Sequence, residues 1–223
     1  MATRAFIFDM DGTMVDSMPA HKRSWDEFRR RHGVGMEVDE IMRRTTGRNG
    51  VECIRVLMGD DVPEERALEL VGEKEAIYRD IFGREFREVA GFAGFVQRAR
   101  EERALKTAVA TAGDRNNLAF VLERLRLGLP PDAVVRGDEG LPGKPEPAIF
   151  LAAAERLGVP AAECIVFEDA PFGIEAARRA GMRAVGVCTS HGADELKGSH
   201  VLAHVRDYTE LLEQKFLESL YVS

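Results

Sequence analysis

The sequence predicts an α/β fold in which a parallel sheet, covered by helices on both faces, is interrupted after its first strand by an all-helical insertion. Three observations predict it. The run Ala5-Phe6-Ile7-Phe8 is continuously apolar and stops abruptly at Asp9 and Asp11, as a strand buried in a parallel sheet does. Between 16 and 88 helical signals follow one another and no convincing buried strand occurs. From Gly91 onward, short apolar runs alternate with helical stretches, the rhythm of successive strand-helix units. The expected division is a core made of 1–15 and 89–223, with 16–88 as a helical cap domain set into it.

Each element has its own signal. Gly12 can supply the turn that ends the first strand. In the insertion, helices are expected at 19–31, ended by Gly33, at 51–58, ended by Gly59, and at 63–86, opened by Pro63-Glu64-Glu65. The second part predicts helix 95–103, strand 107–110, helix 116–125, strand 133–135 and helix 147–157. Strand 164–167, helix 172–180, strand 184–187 and a closing helix around 208–220 complete it. No internal repeat or low-complexity tract stands out.

With 223 residues the chain can bury a substantial core, and 45% hydrophobic with 31% charged residues is ordinary globular composition. A net charge of -7 argues against nucleic acid as a main partner, because binding a phosphate backbone needs a basic surface. No stretch approaches the roughly 20 apolar residues of a spanning helix, and the N-terminus lacks the charged-then-apolar pattern of a targeting segment. Cys53, Cys164 and Cys188 are odd in number and widely scattered, so they read as free or buried thiols of a cytoplasmic protein.

Asp9 and Asp11 lie two apart, so in extended backbone their carboxylates point the same way while Met10 points to the other side. Such a pair repels unless a cation sits between its members, and magnesium is the expected one. The alternative is an acid pair in a turn or helix cap. Parallel sheets gather their chemistry at the carboxyl ends of the strands. There the chain places Asp9 and Asp11, then Thr111-Ala112-Gly113-Asp114, then Gly143-Lys144-Pro145-Glu146-Pro147, then Glu168-Asp169-Ala170-Pro171. Singly, Thr111 could be an N-cap, Lys144 a solvated loop lysine, and Glu168-Asp169 the acidic first turn of a helix. Jointly they put two carboxylate pairs, a hydroxyl and an ammonium on one edge, as phosphoryl transfer requires.

These four motifs, D-M-D-G-T, Thr111, Lys144 in G-K-P-E-P, and Glu168-Asp169, stand in the order of the haloacid dehalogenase superfamily. The chain resembles the subgroup whose helical cap follows the first motif, and the resemblance spans nearly its whole length. It implies a Rossmann-like core with Asp9 as nucleophile, forming an aspartyl-phosphate. It implies that Asp11 protonates the leaving oxygen and then takes a proton from water, with an environment that raises its pKa. It further implies Mg2+ held by Asp9, the Asp11 backbone carbonyl, Asp169 and Glu168, with Thr111 and Lys144 holding phosphoryl oxygens.

The insertion is expected to set specificity. Ser17, His21 and Trp25 form a D-S-x-x-x-H-x-x-x-W pattern similar to the start of the cap in β-phosphoglucomutases and related sugar phosphatases. In the mutase the corresponding histidine helps position the acid-base aspartate. Ordinary amphipathic packing is the alternative for both rings. Arg48, in Thr45-Thr46-Gly47-Arg48-Asn49-Gly50, could bind a second anionic group. Lys74, four before Tyr78, matches a K-x-x-x-Y spacing in the mutase cap, with a solvated helical lysine as the alternative.

Where the mutase pattern is close to S-A-S-K, this chain has Gly113 in place of a hydroxyl and Asp114 in place of a lysine. Those departures favour a phosphatase over the mutase. A pyrophosphatase branch shares the S-M-P-x-H-x-x-x-W pattern but carries glutamate where this chain has Thr46. A catalytically idle binding protein would need neither nucleophile nor acid. Dehalogenase chemistry would need neither Asp11 nor the acidic pair. The expected ligand is a small phosphorylated metabolite, a sugar phosphate among the candidates, without nucleic acid or membrane, and the chain is expected as a monomer or weak homodimer.

Overall fold

A computed structural model describes residues 2–220 of the chain. Met1 and residues 221–223, which the sequence reading gives to the core, lie outside the described residues. The chain enters β1 (Ala5–Phe8) and then four helices, α1 (Met18–Arg31), α2 (Val38–Thr45), α3 (Gly50–Met58) and α4 (Glu64–Gly83). It returns through α5 (Phe92–Arg103), β2 (Lys106–Thr111), α6 (Arg115–Arg124), β3 (Ala133–Arg136), α7 (Ala148–Leu157) and β4 (Cys164–Glu168). It finishes with α8 (Pro171–Arg179), β5 (Arg183–Val187), β6 (Val201–Val205), α9 (Tyr208–Glu213) and α10 (Phe216–Ser219). The six strands pair in parallel in the order β3-β2-β1-β4-β5-β6, so β1 lies inside the sheet with β2 and β4 on either side.

A strand flanked on both edges and covered on both faces has to be apolar throughout. All four residues of β1 are buried. Phe6 and Phe8 face a cluster that includes Phe95, Phe167 and Tyr208, whereas Ala5 and Ile7 face Ala108, Phe150 and Val166 on the other side. The Phe6 ring stacks on Phe95 at 5.7 Å and Phe8 on Phe167 at 4.7 Å. Each such ring contributes roughly 1.5–3 kcal/mol by leaving water.

Helices α1–α4 bury a cluster of their own around Trp25, Phe28, Ile41, Ile54 and Leu70. Two adjacent segments carry the chain out to these helices and back: Asp16 N–H donates to the Arg87 carbonyl at 3.2 Å and Val89 N–H to the Met14 carbonyl at 3.0 Å.

Several elements differ from expectation. Helix α2 was not expected; its Val38, Ile41, Met42 and Thr45 follow helical spacing, but eight residues, half of them charged, form a weak signal. Edge strand β6 was also missed, because only Val205 of its five residues is fully buried. The closing helix is two helices, divided at Lys215, whose φ of 54° leaves the helical region. Helix α5 begins at Phe92 rather than at 95, straight after left-handed Gly91. No helix among the described residues is long and apolar enough to cross a membrane.

Candidate active site

The carboxyl ends of β1, β2 and β4, together with the loop after β3, meet beneath α1–α4. Side chains far apart in sequence come into contact there. The Lys144 ammonium lies 2.5 Å from Asp9 Oδ1 and 2.6 Å from Glu168 Oε1, with all three side chains buried. The other Glu168 oxygen accepts from Ala170 N–H at 2.9 Å, so both of its oxygens have partners. Asp169 follows on the same strand end, and oxygens of Asp9, Glu168 and Asp169 lie within 4.8 Å of one another. Two glycines make this crowding possible. At Gly12, with φ 79°, a β-carbon would overlap the Asp169 carboxylate, and at Gly173 it would overlap that of Glu168.

Three buried carboxylates share a single ammonium, and their electrostatics reflect it. Burial pushes the Asp9 carboxyl up, and Glu168 and Asp11 add to the rise against the pull of Lys144, leaving it at about 8. Burial, Glu168 and Asp9 likewise hold Asp169 well above the usual carboxylate range. Burial alone would lower the Lys144 pKa, but Asp9 and Glu168 raise it above its ordinary value. Asp169 Oδ2 is buried with no hydrogen-bond partner. An all-oxygen cluster with excess negative charge and an orphaned carboxylate oxygen suits a hard divalent cation such as Mg2+.

The Asp11 carboxylate stands apart from that cluster and turns toward the helices. Its Oδ1 accepts from Ser17 Oγ at 2.7 Å and from Tyr78 Oη at 3.1 Å. His21 Nε2 is 3.1 Å away, a charge contact bent too far to count as a hydrogen bond. The His21 ring lies flat on Tyr78 at 3.8 Å, and its Nδ1 is 2.8 Å from Lys74 Nζ. Burial favours a raised pKa at Asp11, but His21, Ser17 and Lys74 outweigh it and bring the carboxyl down to about 2. The expected upward shift is therefore corrected. His21 from α1, Lys74 from α4 and the Ser17 hydroxyl favour the ionised form of Asp11.

A cavity of about 160 Å³ joins these groups. Asp9, Asp11, Thr111, Gly113, Lys144, Glu168 and Asp169 line it from the sheet edge, and His21, Arg48 and Lys74 from the helices. Thr111 is buried, its hydroxyl accepting from Gly113 N–H at 2.9 Å. Ser17, expected to bind substrate, does not line the cavity; it lies buried behind Asp11 and holds that carboxylate. Lys74 is buried as well, its ammonium 4.7 Å from the centre of the Trp25 ring, so the solvated alternative does not hold. Trp25 packs edge-on to Phe28 and also borders the cavity. Arg48 stays exposed at the mouth, its Nε donating to the Arg44 carbonyl.

Sequence reasoning missed Glu75 and Asn117. Glu75 accepts from Lys74 at 2.9 Å and from Asn117 Nδ2 at 2.6 Å. An adjacent charged pair on a helix gave no sign that Lys74 is buried and Glu75 half-buried.

Comparison with known proteins agrees with this arrangement. The chain is 31% identical over 207 residues to a validoxylamine A 7'-phosphate phosphatase from Streptomyces hygroscopicus subsp. limoneus, covering 92% of this chain and 94% of that protein. It is 34% identical over 184 residues to a fructose-1-phosphate phosphatase from Escherichia coli, covering 81% and 94% respectively. Among solved structures, a hydrolase from Pseudomonas syringae superposes with a TM-score of 0.82 at 27% identity, over 96% of this chain and 99% of that one. A β-phosphoglucomutase from Clostridium difficile shares the fold with a TM-score of 0.83 at 23% identity, over 98% and 97%. The profile of the haloacid dehalogenase-like hydrolases matches residues 3–181, and the chain belongs to that family.

Proposed function

We propose that the protein is a Mg2+-dependent phosphatase that hydrolyses the monoester of a small phosphorylated metabolite, a sugar or polyol phosphate, through an aspartyl-phosphate. Residues 16–88 act as its cap. The observation that carries this reading is the contact of Asp9 with Lys144, with an Asp169 oxygen within 4.8 Å, in one cavity. The named activities of the relatives, which act on phosphorylated carbohydrates and a related compound, support the substrate class.

Asp9, Asp169 and the Asp11 carbonyl would hold Mg2+, which would supply charge neutralisation for the phosphoryl oxygens and favour the ionised Asp9 carboxylate. Lys144 and the Thr111 hydroxyl hold the remaining phosphoryl oxygens, and Glu168 keeps Lys144 aimed at them. An Asp9 oxygen attacks phosphorus as the bond to the leaving oxygen breaks. That oxygen takes the proton that Asp11 carries at this step, with His21 Nε2 3.1 Å away on the same carboxylate. Water then gives its proton to Asp11 and attacks the same phosphorus, freeing inorganic phosphate and the Asp9 carboxylate.

The mutase alternative needs an anchor for a second phosphate. Beyond Thr111 the lining residues are Gly113 and Asp114, and the Asp114 carboxylate is taken up by the Asn117 N–H, so neither supplies that anchor. Phosphate release from a panel of sugar and polyol phosphates, with and without Mg2+, tests the proposal. Conversion of β-glucose 1-phosphate primed with bisphosphate, without phosphate release, would favour the mutase.

A further inference from the structure

The groups that carry the chemistry are almost sealed off: Lys144 is 4% exposed, Asp169 3% and Thr111 1%. They lie under α1–α4 at the base of a cavity with Arg48 at its mouth, so how those helices sit on the sheet edge bears on entry of a phosphorylated metabolite. The covalent links are two short neighbouring segments, so noncovalent contacts decide how firmly the insert stays down.

Asn117, in the first turn of α6, belongs to the core and is 1% exposed. It grips α4 with both ends of its amide. Nδ2 donates to Glu75 Oε2 at 2.6 Å, and Oδ1 accepts from Arg79 Nη1 at 2.8 Å. Glu75 and Arg79 are four residues apart and so share one face of that helix. At the same time the Asn117 backbone N–H donates to Asp114 Oδ1 at 2.7 Å. The residue thus stands between two carboxylates, one on the core and one on the insert, and donates to each. Removing those donors would set the two like charges against each other across the closure.

The grip is continuous with the acid. From Glu75 the contacts run to Lys74 at 2.9 Å, to His21 at 2.8 Å and to Asp11 at 3.1 Å. Core residues therefore stand at both ends of a string whose middle belongs to the insert. We propose that Asn117 is a positioning residue, a two-handed amide clasp that holds the insert shut and so sets His21 and Lys74 against Asp11. The second half of this statement rests on the phosphatase reading; the clasp itself does not.

The near-isosteric Asn117→Asp tests it, because it keeps the acceptor for Arg79 and turns the donor to Glu75 into another carboxylate. Small-angle X-ray scattering should show a larger radius of gyration for this variant. Its kcat/KM for the best sugar or polyol phosphate should fall at least about tenfold, as expected for one lost charge-assisted hydrogen bond. Acetyl phosphate, which is small and whose leaving carboxylate needs no proton, should lose less. Glu75→Gln combined with Asn117→Asp exchanges amide and carboxylate, and should restore the compact form and most of the lost kcat/KM. A role confined to packing gives no such reciprocal rescue.

An Asn117→Asp protein as compact and active as the parent overturns the proposal, and so does a double variant no better than the single one. Should Asn117→Asp fail to fold, Asn117→Ser removes both grips without adding charge, and the same expansion and kinetic split are required of it. If the unaltered protein hydrolyses no phosphomonoester, the phosphatase reading fails, and scattering alone judges the clasp.

Discussion

Lys144 Nζ stands 2.5 Å from Asp9 Oδ1 although 135 positions separate the two residues, and the pair is buried. Lys144→Met keeps the bulk of the side chain and removes its charge, leaving Asp9 and Glu168 facing each other uncompensated. Breaking a buried pair from one side costs about 3–5 kcal/mol. Urea denaturation without metal should register that loss, and phosphate release should collapse. An unchanged midpoint would show that this contact is not maintained in solution.

The roles of the two aspartates at the end of β1 separate by substitution. Asp9→Asn should abolish turnover, because no other group is placed to accept the phosphoryl. Asp11→Asn should lower kcat by about two to four orders of magnitude, the usual share of a general acid-base. Near-normal phosphate release by Asp9→Asn would refute the covalent mechanism.

The site also makes the metal-free protein sensitive to pH. Asp9 has a folded-state pKa of about 8 against an ordinary 3.8. Between those values the folded protein keeps a proton that the unfolded chain has lost, so stability falls as pH rises, by about 1.4 kcal/mol per unit for one such group. Asp169, raised by burial and its carboxylate neighbours, acts in the same direction. Asp11, lowered to about 2, acts the other way: its contribution is present above 3.8 and lost as pH falls through 2. Melting temperature without metal should decline from pH 5 to pH 8, and the rise produced by Mg2+ should grow over the same interval. A Mg2+ effect independent of pH would contradict this.

The three thiols should respond unequally to alkylation. Burial pushes Cys53 up to about 12 and Cys164 up to about 11, whereas Cys188 is only half-buried. Iodoacetamide at pH 8 followed by peptide mass spectrometry should find Cys188 modified first, and Cys53 only after unfolding. Early labelling of Cys53 would mean that α3 opens readily.

Much of this was legible in the sequence because carboxylates and a threonine at the ends of apolar strands, and a lysine in the loop after another, break the hydrophobic pattern where they stand. Asp9, Thr111, Lys144 and Asp169 each announce themselves in that way. The helical insert was harder to read. Lys74 and Glu75 look like any solvated pair on a helix, and only the rings of Trp25 and Tyr78 and the amide of Asn117 show why Lys74 can be buried and Glu75 half-buried. Ser17 lies behind Asp11 rather than in the cavity wall, and without metal the Asp11 carboxyl is lowered rather than raised. Both depend on which side chains from α1 and α4 fold back over β1, a long-range arrangement that local pattern does not encode. Strand β6 escaped for a simpler reason: at an edge, half-exposed residues lack a decisive period.

Strand β1 turns Phe6 and Phe8 to one side of the sheet and Ala5 and Ile7 to the other, with Asp9 directly after. Alternation ties these assignments together. A single residue deleted within 5–8 would exchange the bulky and the small positions between the two halves of the protein and rotate the Asp9 carboxylate away from the Lys144 ammonium in the same stroke. Architecture and reactivity thus share a reading frame, and a frameshift in either is a frameshift in both.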